Sequence, residues 1–513
     1  MGYAGKTYQI PYDKGGFTYN ENTDLVAPNM MVAPSRNVNL HRNGRGKRGG
    51  TTKVNGTAVS GAPRIMGLFD FQLAASSFQV FAANDGKVYK NTTTTIKTGM
   101  STSNFFSFAV MAQELYIADG ASTVQTWDGA AAGTSNITTP AGDWATTPPI
   151  QMIAHGRGAS RRMWAIAGTK VYYSSLANGK EFSGGTSGSI QIDTQDAYGL
   201  VGGVEFGNRL IVFDRRQAYI IDDESTTLAN WGYAKAQWKG GAAHWRGLQV
   251  IDNDLLVLSE DGQVYSLQGA QQYGDYTQAT LTRPAFIDIY IKDNLDVTSI
   301  NNWHMAFDRS LRAVKLFVTR SGQLTNDTAL VYFVDRGPGE GWAIHDNQSS
   351  VSGYSASCSA EVRTAAGTYL LYTGSYTGFL WKLEQSTKND DSVAYYGGVK
   401  TPNLNLEDSR LRKHFRQLRV IMKSQGAYSL QVNVWIDGNV VTAGTISMAG
   451  SGAALDSFIL DTSTLGGVEF IDGRLELNHV GKRIQFEFYN NGLNQDFFLS
   501  HLLLDFKALP STI

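Results

Sequence analysis

Short runs of alternating apolar and polar residues fill most of this chain, the period of a strand with one face buried. They come in pairs. FQVFAANDGKVYK (78–90), QELYIADGASTVQTWDG (113–129) and RRMWAIAGTKVYYS (161–174) are followed by NRLIVFDRRQAYII (208–221) and NDLLVLSEDGQVYSL (253–267). The last two are AVKLFVT with ALVYFVD (313–335) and TYLLYTGSYTGFLWKL (368–383). Each predicts a hairpin, two strands about a turn rich in Asn, Asp, Gly, Ser or Thr. The unit at 208–221, turning at Asp214-Arg215-Arg216-Gln217, is the least typical.

An aromatic on the second run sets a beat: Tyr89, Trp127, Tyr172, Tyr219, Tyr265, Tyr332 and Trp381, at gaps of 38, 45, 47, 46, 67 and 49 residues. Apart from the longer fifth gap, this is the roughly 40–50 residue spacing of propeller blades. Two further short strands fit between hairpins, as at 148–156 and 244–252, which makes four per unit. Closing such sheets into a ring buries their faces and leaves only short edges. The prediction is an all-β chain with a β-propeller over residues 62–390. Seven hairpins are present and one is assignable to an adjoining domain, so six and seven blades both fit. A stacked array of sandwiches is the alternative.

After Lys388-Asn389-Asp390-Asp391 the beat stops and the runs lengthen. Residues 414–424 place Leu418, Val420 and Met422 on one face, and 428–438 do the same with Leu430, Val432 and Val434. With 482–490 and 496–507 these predict a C-terminal antiparallel β-sandwich over 391–513. Helical periodicity is nearly absent. Residues 1–61 have neither period and are expected to form an extended basic N-terminal arm.

Composition sharpens this picture. There are 55 Gly against 11 Pro, 24 Tyr, 24 Phe and 10 Trp, and 17% charged residues, the profile of a turn-rich β protein. A net charge of −1 argues against a general nucleic-acid binder but leaves room for a local basic patch. Cys358 stands alone, which excludes an internal disulfide and a multi-Cys metal cluster. The first residues have no apolar h-region and no run reaches 18 apolar residues, so neither a signal peptide nor membrane insertion is expected.

That local patch exists. Residues 25–69 contain no Asp or Glu but carry Arg36, Arg42, Arg45, Lys47, Arg48, Lys53 and Arg64. Such a segment cannot build a core and must lie along its own chain or a neighbour. Arg36, Arg42, Arg45, Lys47, Arg48 and Lys53 are therefore the candidate contacts to a subunit or to nucleic acid, with packing on an acidic face of the same chain as the alternative. GRGKRGGT is not a phosphate-binding loop, since the Lys precedes the paired glycines. A second basic run, Arg410, Arg412, Lys413, Arg416, Arg419 and Lys423, fits the solvated entry to a sandwich strand, with contact to an acidic partner or DNA as the alternative. Acids such as Asp214, Asp252, Asp254 and Glu260 fall at turns, where Asp ordinarily serves the backbone. No HExxH or G-x-S-x-G motif occurs, so no catalytic residue, metal or cofactor is expected.

The string Ser35-Arg36-Asn37-Val38-Asn39-Leu40, then Gly44-Arg45-Gly46-Lys47-Arg48-Gly49-Gly50-Thr51, resembles the tail nozzle (tubular) and packaged-DNA-stabilisation proteins of short-tailed bacteriophages. There a like string of Asn, an apolar residue, Gly, basic residues, Gly and Thr precedes a β-propeller. The resemblance implies a structural virion protein rather than an enzyme. It would be one subunit of a homo-oligomeric, typically hexameric, ring in the virion tail, below an adaptor protein and above a needle, spike or fibre. Viral double-stranded DNA would be retained in its lumen and later ejected through it. Two other functions suit a propeller: a carbohydrate-binding adhesin, its Trp and Tyr serving as sugar platforms, or a glycosidase.

Overall fold

The computed structural model describes residues 5–74, 76–157, 160–194, 197–274, 279–347, 351–406, 408–449 and 470–509. Among these the paired strands form nine antiparallel sheets. Seven follow one another along the chain as blades 1 to 7, at 65–98, 107–136, 151–191, 202–235, 248–266, 304–346 and 356–385. Every predicted hairpin is the second and third strand of one blade. The rhythm-setting aromatics, all on third strands, are all buried.

The seven blades close into a ring. The first strands touch one another in order, and Ala356–Arg363 of blade 7 returns to Ile65–Gln72 of blade 1. The apolar clusters obey the same geometry, because each is wedged between two sheets. Trp164, Ile166 and Val171 of blade 3 meet Leu210, Val212 and Tyr219 of blade 4. Leu380 and Tyr372 of blade 7 meet Ile65, Leu68 and Phe81 of blade 1. A blade exposes two apolar faces that no single sheet can cover, so each is stable only between neighbours.

Blade 5 has three strands among the described residues, Leu248–Ile251, Asp254–Leu258 and Val264–Ser266. Two helices follow it, Leu267–Tyr273 and Ile287–Asn294, and they account for the long fifth gap. Their near-absence from the sequence pattern has a physical reason. They are seven and eight residues long, too short for a helical period to stand out. The first is set by its ends, with the Ser266 hydroxyl accepting from Gly269 N and Gly274 in the left-handed region.

The other two sheets form the sandwich. One runs in the order Val38–His41, Gly44–Lys47, Phe498–Ala508, Lys413–Lys423, Phe470–Gly481. Lys6–Pro11 pairs along the rest of the Phe498–Ala508 edge. The second runs Val32–Arg36, Gly397–Lys400, Ile484–Asn490, Ser429–Ile436, Asn439–Ser447. Leu418, Val420, Met422, Leu430, Val432 and Val434 are buried, on the faces the alternation assigns. Their core continues without a break into Leu316, Leu330 and Trp342 of blade 6.

The N-terminal segment is extended but is not a unit of its own. It supplies Lys6–Pro11, Val38–His41 and Gly44–Lys47 to one sandwich sheet and Val32–Arg36 to the other. It then supplies Gly50–Lys53 as the outermost strand of blade 7, where Lys53 pairs with Trp381 and Thr52 with Lys382. Strand pairing therefore joins residues 1–61 both to the propeller and to the sandwich, so the division expected at 61/62 does not separate a unit. The sandwich is not confined to 391–513, and residues 1–4 and 450–469 of these segments lie outside the described residues.

Candidate contact site

The acid-free segment passes between propeller and sandwich, and its cations find their counter-charges about 300 residues away. Arg48 and Asp390 are both fully buried and form a two-pronged pair, Nη1 to Oδ1 at 2.9 Å and Nη2 to Oδ2 at 2.7 Å. The guanidinium lies between the rings of Tyr354 and Tyr395, 4.3 and 3.9 Å from their centroids. Its Nε donates to Asn37 Oδ1 at 2.9 Å. Burial works against the charge, but Asp390 and Tyr395 outweigh it and hold the Arg48 pKa above its ordinary value.

Asn37 takes a left-handed conformation that Asn tolerates, φ 58°. Its amide donates to Asp346 Oδ1 at 2.7 Å while its carbonyl oxygen accepts from Asp346 N at 3.0 Å. Glu384 is satisfied at both oxygens. Oε1 accepts from Lys315 Nζ at 2.7 Å and Tyr354 Oη at 2.5 Å, and Oε2 from Asn39 Nδ2 and Gly49 N, each at 2.8 Å. Desolvation would raise this carboxyl, yet Lys315 and His345 prevail and keep it well below the usual range. Thr51 donates to Asp390 Oδ1 at 3.1 Å. The glycines are forced by proximity. A Cβ on Gly49 would sit 2.5 Å from Glu384 Cα, and one on Gly50 2.0 Å from Asn389 O. The string Asn37…Arg48-Gly49-Gly50-Thr51 is thus a clasp joining the last blade to the sandwich.

This corrects three of the six candidate contacts. Arg45, Lys47 and Arg48 reach neither subunit nor nucleic acid, being at most 1% exposed inside their own chain. Arg45 lies over the Tyr12 ring at 4.2 Å and donates to the carbonyls of Lys14, Gly15 and Asn29. Burial brings its pKa down to about 10. Arg36 pairs with Asp346 at 3.3 Å and Lys53 with Asp391 at 2.8 Å, both partly exposed. Arg42 alone of the six is exposed, beside Asp13, Asp335 and Glu340 in a groove of about 770 Å³ between the hairpin at 38–47 and blade 6. The second basic run divides too. Lys413 is buried and donates to the carbonyls of Asn405, Asp408 and Lys482, whereas Arg419 pairs with Asp472.

Lys47 makes the segment pH-sensitive. Its ammonium donates to Gln495 O at 3.2 Å, beside the Tyr395 ring. Burial, reinforced by Arg48, pushes its pKa down to about 7, against the pull of Asp496. A lysine in the unfolded chain titrates near 10.4, so between pH 7 and about 10 the unfolded state binds the extra proton and stability rises with pH. Lys47→Met is expected to flatten that rise. Melting temperatures of both chains at pH 7 and pH 9.5 check it, and equal slopes would exclude Lys47 as the source.

The turn acids behave as backbone ligands. Asp214 accepts from the amides of Arg216 and Gln217 and from Tyr219 Oη, and Asp254 from Gln268 N and Ser266 Oγ. Among the described residues no group of His, Cys, Asp or Glu is arranged to hold a metal ion, and no helix is long and apolar enough to cross a membrane. The propeller channel narrows to a cavity of about 240 Å³ lined by residues of all seven blades.

Sequence reasoning missed Asp390, Glu384, Lys315 and Tyr354. One signal pointed to them: a span of basic residues without acids needs carboxylates from elsewhere, and Asp390 lies in the short polar run that ends the propeller rhythm.

No family model matches the chain, and no curated protein matches it. Among solved structures, the computationally designed Ika8 protein aligns at 13% identity over 64% of this chain and 98% of its own, TM-score 0.33. BBS1N, solved in complex with ARL6DN, aligns at 12% over 67% and 98%, TM-score 0.40. YCF48 from Cyanidioschyzon merolae aligns at 11% over 65% and 98%, TM-score 0.39. The strand order and ring closure of the chain itself make it a β-propeller protein with an added sandwich.

Proposed function

We propose that the chain is a structural subunit of the tail nozzle of a short-tailed bacteriophage. It is one copy of a homohexameric ring in the virion tail, held between an adaptor protein and a needle, spike or fibre. The ring closes the channel on packaged double-stranded DNA and later forms its conduit. The observation that carries this reading is the clasp. The residues that resemble the nozzle proteins are those that weld propeller to sandwich, and a tube wall needs such a rigid two-domain brick. Side chains of all seven blades fill the centre of the ring down to a cavity of about 240 Å³, the scale of a small molecule rather than of a duplex. The conduit must be bounded by several copies. A net charge of −1 suits a wall that lets phosphates slide rather than gripping them. The subunit has no catalytic role.

Native mass measurement of the full chain, alone and with tail neighbours, tests the ring, and antibody-labelled virions test its place. A monomer that joins no tail assembly would remove the reading. Arg42→Glu is expected to leave the melting temperature within about 2 °C, as for surface changes generally, while weakening assembly. Normal assembly would take Arg42 out of the interface.

A further inference from the structure

Two arginines at the centre of the propeller have no carboxylate partner among the described residues. Arg246 is nine-tenths buried. Its Nη1 donates to Ser357 O at 3.1 Å and Nη2 to Asn301 O at 2.5 Å, and the carbon of its guanidinium lies 3.2 Å from the Phe105 ring centroid. Arg64 stacks on the same ring at 4.8 Å and donates to Asn302 Oδ1 at 3.0 Å. Burial, and then the like charge of Arg64, bring the Arg246 pKa down to about 9. A guanidinium in water-poor surroundings with neutral acceptors and a second cation nearby is short of one negative charge. Arg48, by contrast, has Asp390.

Arg246 lines the 240 Å³ channel cavity, and so do His304 and Ser359. His304 is 3% exposed, and its ring nitrogens make no well-formed hydrogen bond beyond a loose one to the Asn302 backbone; its ring stacks on Phe317 at 4.8 Å. The Ser359 hydroxyl is buried and unpartnered. Buried polar groups of native proteins are ordinarily satisfied, so unmet donors converging on one cavity point to an occupant. Met66, Phe69, Phe106, Phe108, Leu248 and Met305 supply the apolar part of the wall, beside Gln151 and Cys358.

We propose that this cavity binds a small carboxylate with an apolar body, its carboxylate held by Arg246, His304 and Ser359 and its body against the phenylalanines. Each Nη of Arg246 carries a second N–H beyond its carbonyl bond, a donor that a carboxylate oxygen accepts. The uncharged imidazole and the hydroxyl add one donor each. A phosphate, with more oxygens and up to two charges, would leave charge unmet against a single lining cation. The assignment does not depend on the nozzle reading, because it concerns one chain.

Calorimetric titration of the purified full-length chain with benzoate tests it, with benzamide and inorganic phosphate titrated in parallel. Benzoate is expected to bind once per chain with a dissociation constant at or below about 1 mM. Arg246→Gln should weaken it by about tenfold or more, the scale of a lost charge-assisted bond. His304→Phe keeps the stack on Phe317 and serves where Arg246→Gln does not fold; it should weaken binding by about threefold or more. Absence of saturable benzoate binding, equal binding of benzamide, preference for phosphate, or unchanged affinity in a folded Arg246→Gln or His304→Phe chain would each overturn the proposal.

Discussion

Arg48→Ala is expected to cost the fold about 3–5 kcal/mol, the usual result of removing one partner from a buried ion pair. The loss is large because it strands other groups. Asp390, fully buried, keeps only the Thr51 hydroxyl among the side-chain donors that now serve it. Asn37 Oδ1 loses the Nε donor, and the facing rings of Tyr354 and Tyr395 are left around a cavity. A drop of several degrees in melting temperature, larger than for any exposed Arg→Ala change, is the expected measurement. The paired variant Arg48→Met with Asp390→Leu should be less damaging than either single change, because it removes both charges and refills part of the volume. A single variant melting like the natural chain would mean that the clasp contributes no stability.

How much of this was legible in the sequence depends on the strand. The second and third strands of each blade are short, largely apolar runs joined by a turn, so pattern alone locates all seven. Gly44–Lys47 and Gly50–Lys53, by contrast, read GRGK and GTTK and contain no apolar side chain. Gly50–Lys53 is a strand only because a distant edge accepts it, and Gly44–Lys47 is held by the adjoining Val38–His41 and by such an edge. Gly44–Lys47 meets Phe498 and Leu499, and Gly50–Lys53 meets Trp381 to Gln385. No local propensity encodes a pairing with a partner more than 300 residues off. The same separation hid the charge pairs. The basic half of each lies in one dense run, while the acids Asp346, Glu384 and Asp390 are dispersed among ordinary turn residues. The rhythm aromatics raised sugar platforms as an option, but Trp127, Tyr219 and Tyr265 are sealed between blades, which leaves the adhesin reading without that support.

A chain lacking residues 1–53 should fail to fold as a soluble monomer, although an arm could be cut away harmlessly. Three losses coincide. Blade 7 is left with Leu380–Gln385 as an open edge, and a propeller whose last sheet lacks its outer strand exposes a template for aggregation. The sandwich loses four strands, and with Ile10, Tyr12, Val38 and Leu40 gone its core opens to water at about 1.5–3 kcal/mol for each large apolar side chain. Finally, Glu384 and Asp390 lose the donors Asn39, Gly49, Arg48 and Thr51. Together these exceed the 5–15 kcal/mol that typically separates folded from unfolded. Because the segment acts through pairing rather than covalent continuity, residues 1–61 co-expressed as a separate fragment should restore solubility by adding the missing strands in trans. Size-exclusion profiles and melting curves of the truncated chain, with and without the fragment, decide the matter. A soluble truncated chain with an unshifted melting curve would mean that neither ring nor sandwich depends on the strands described above.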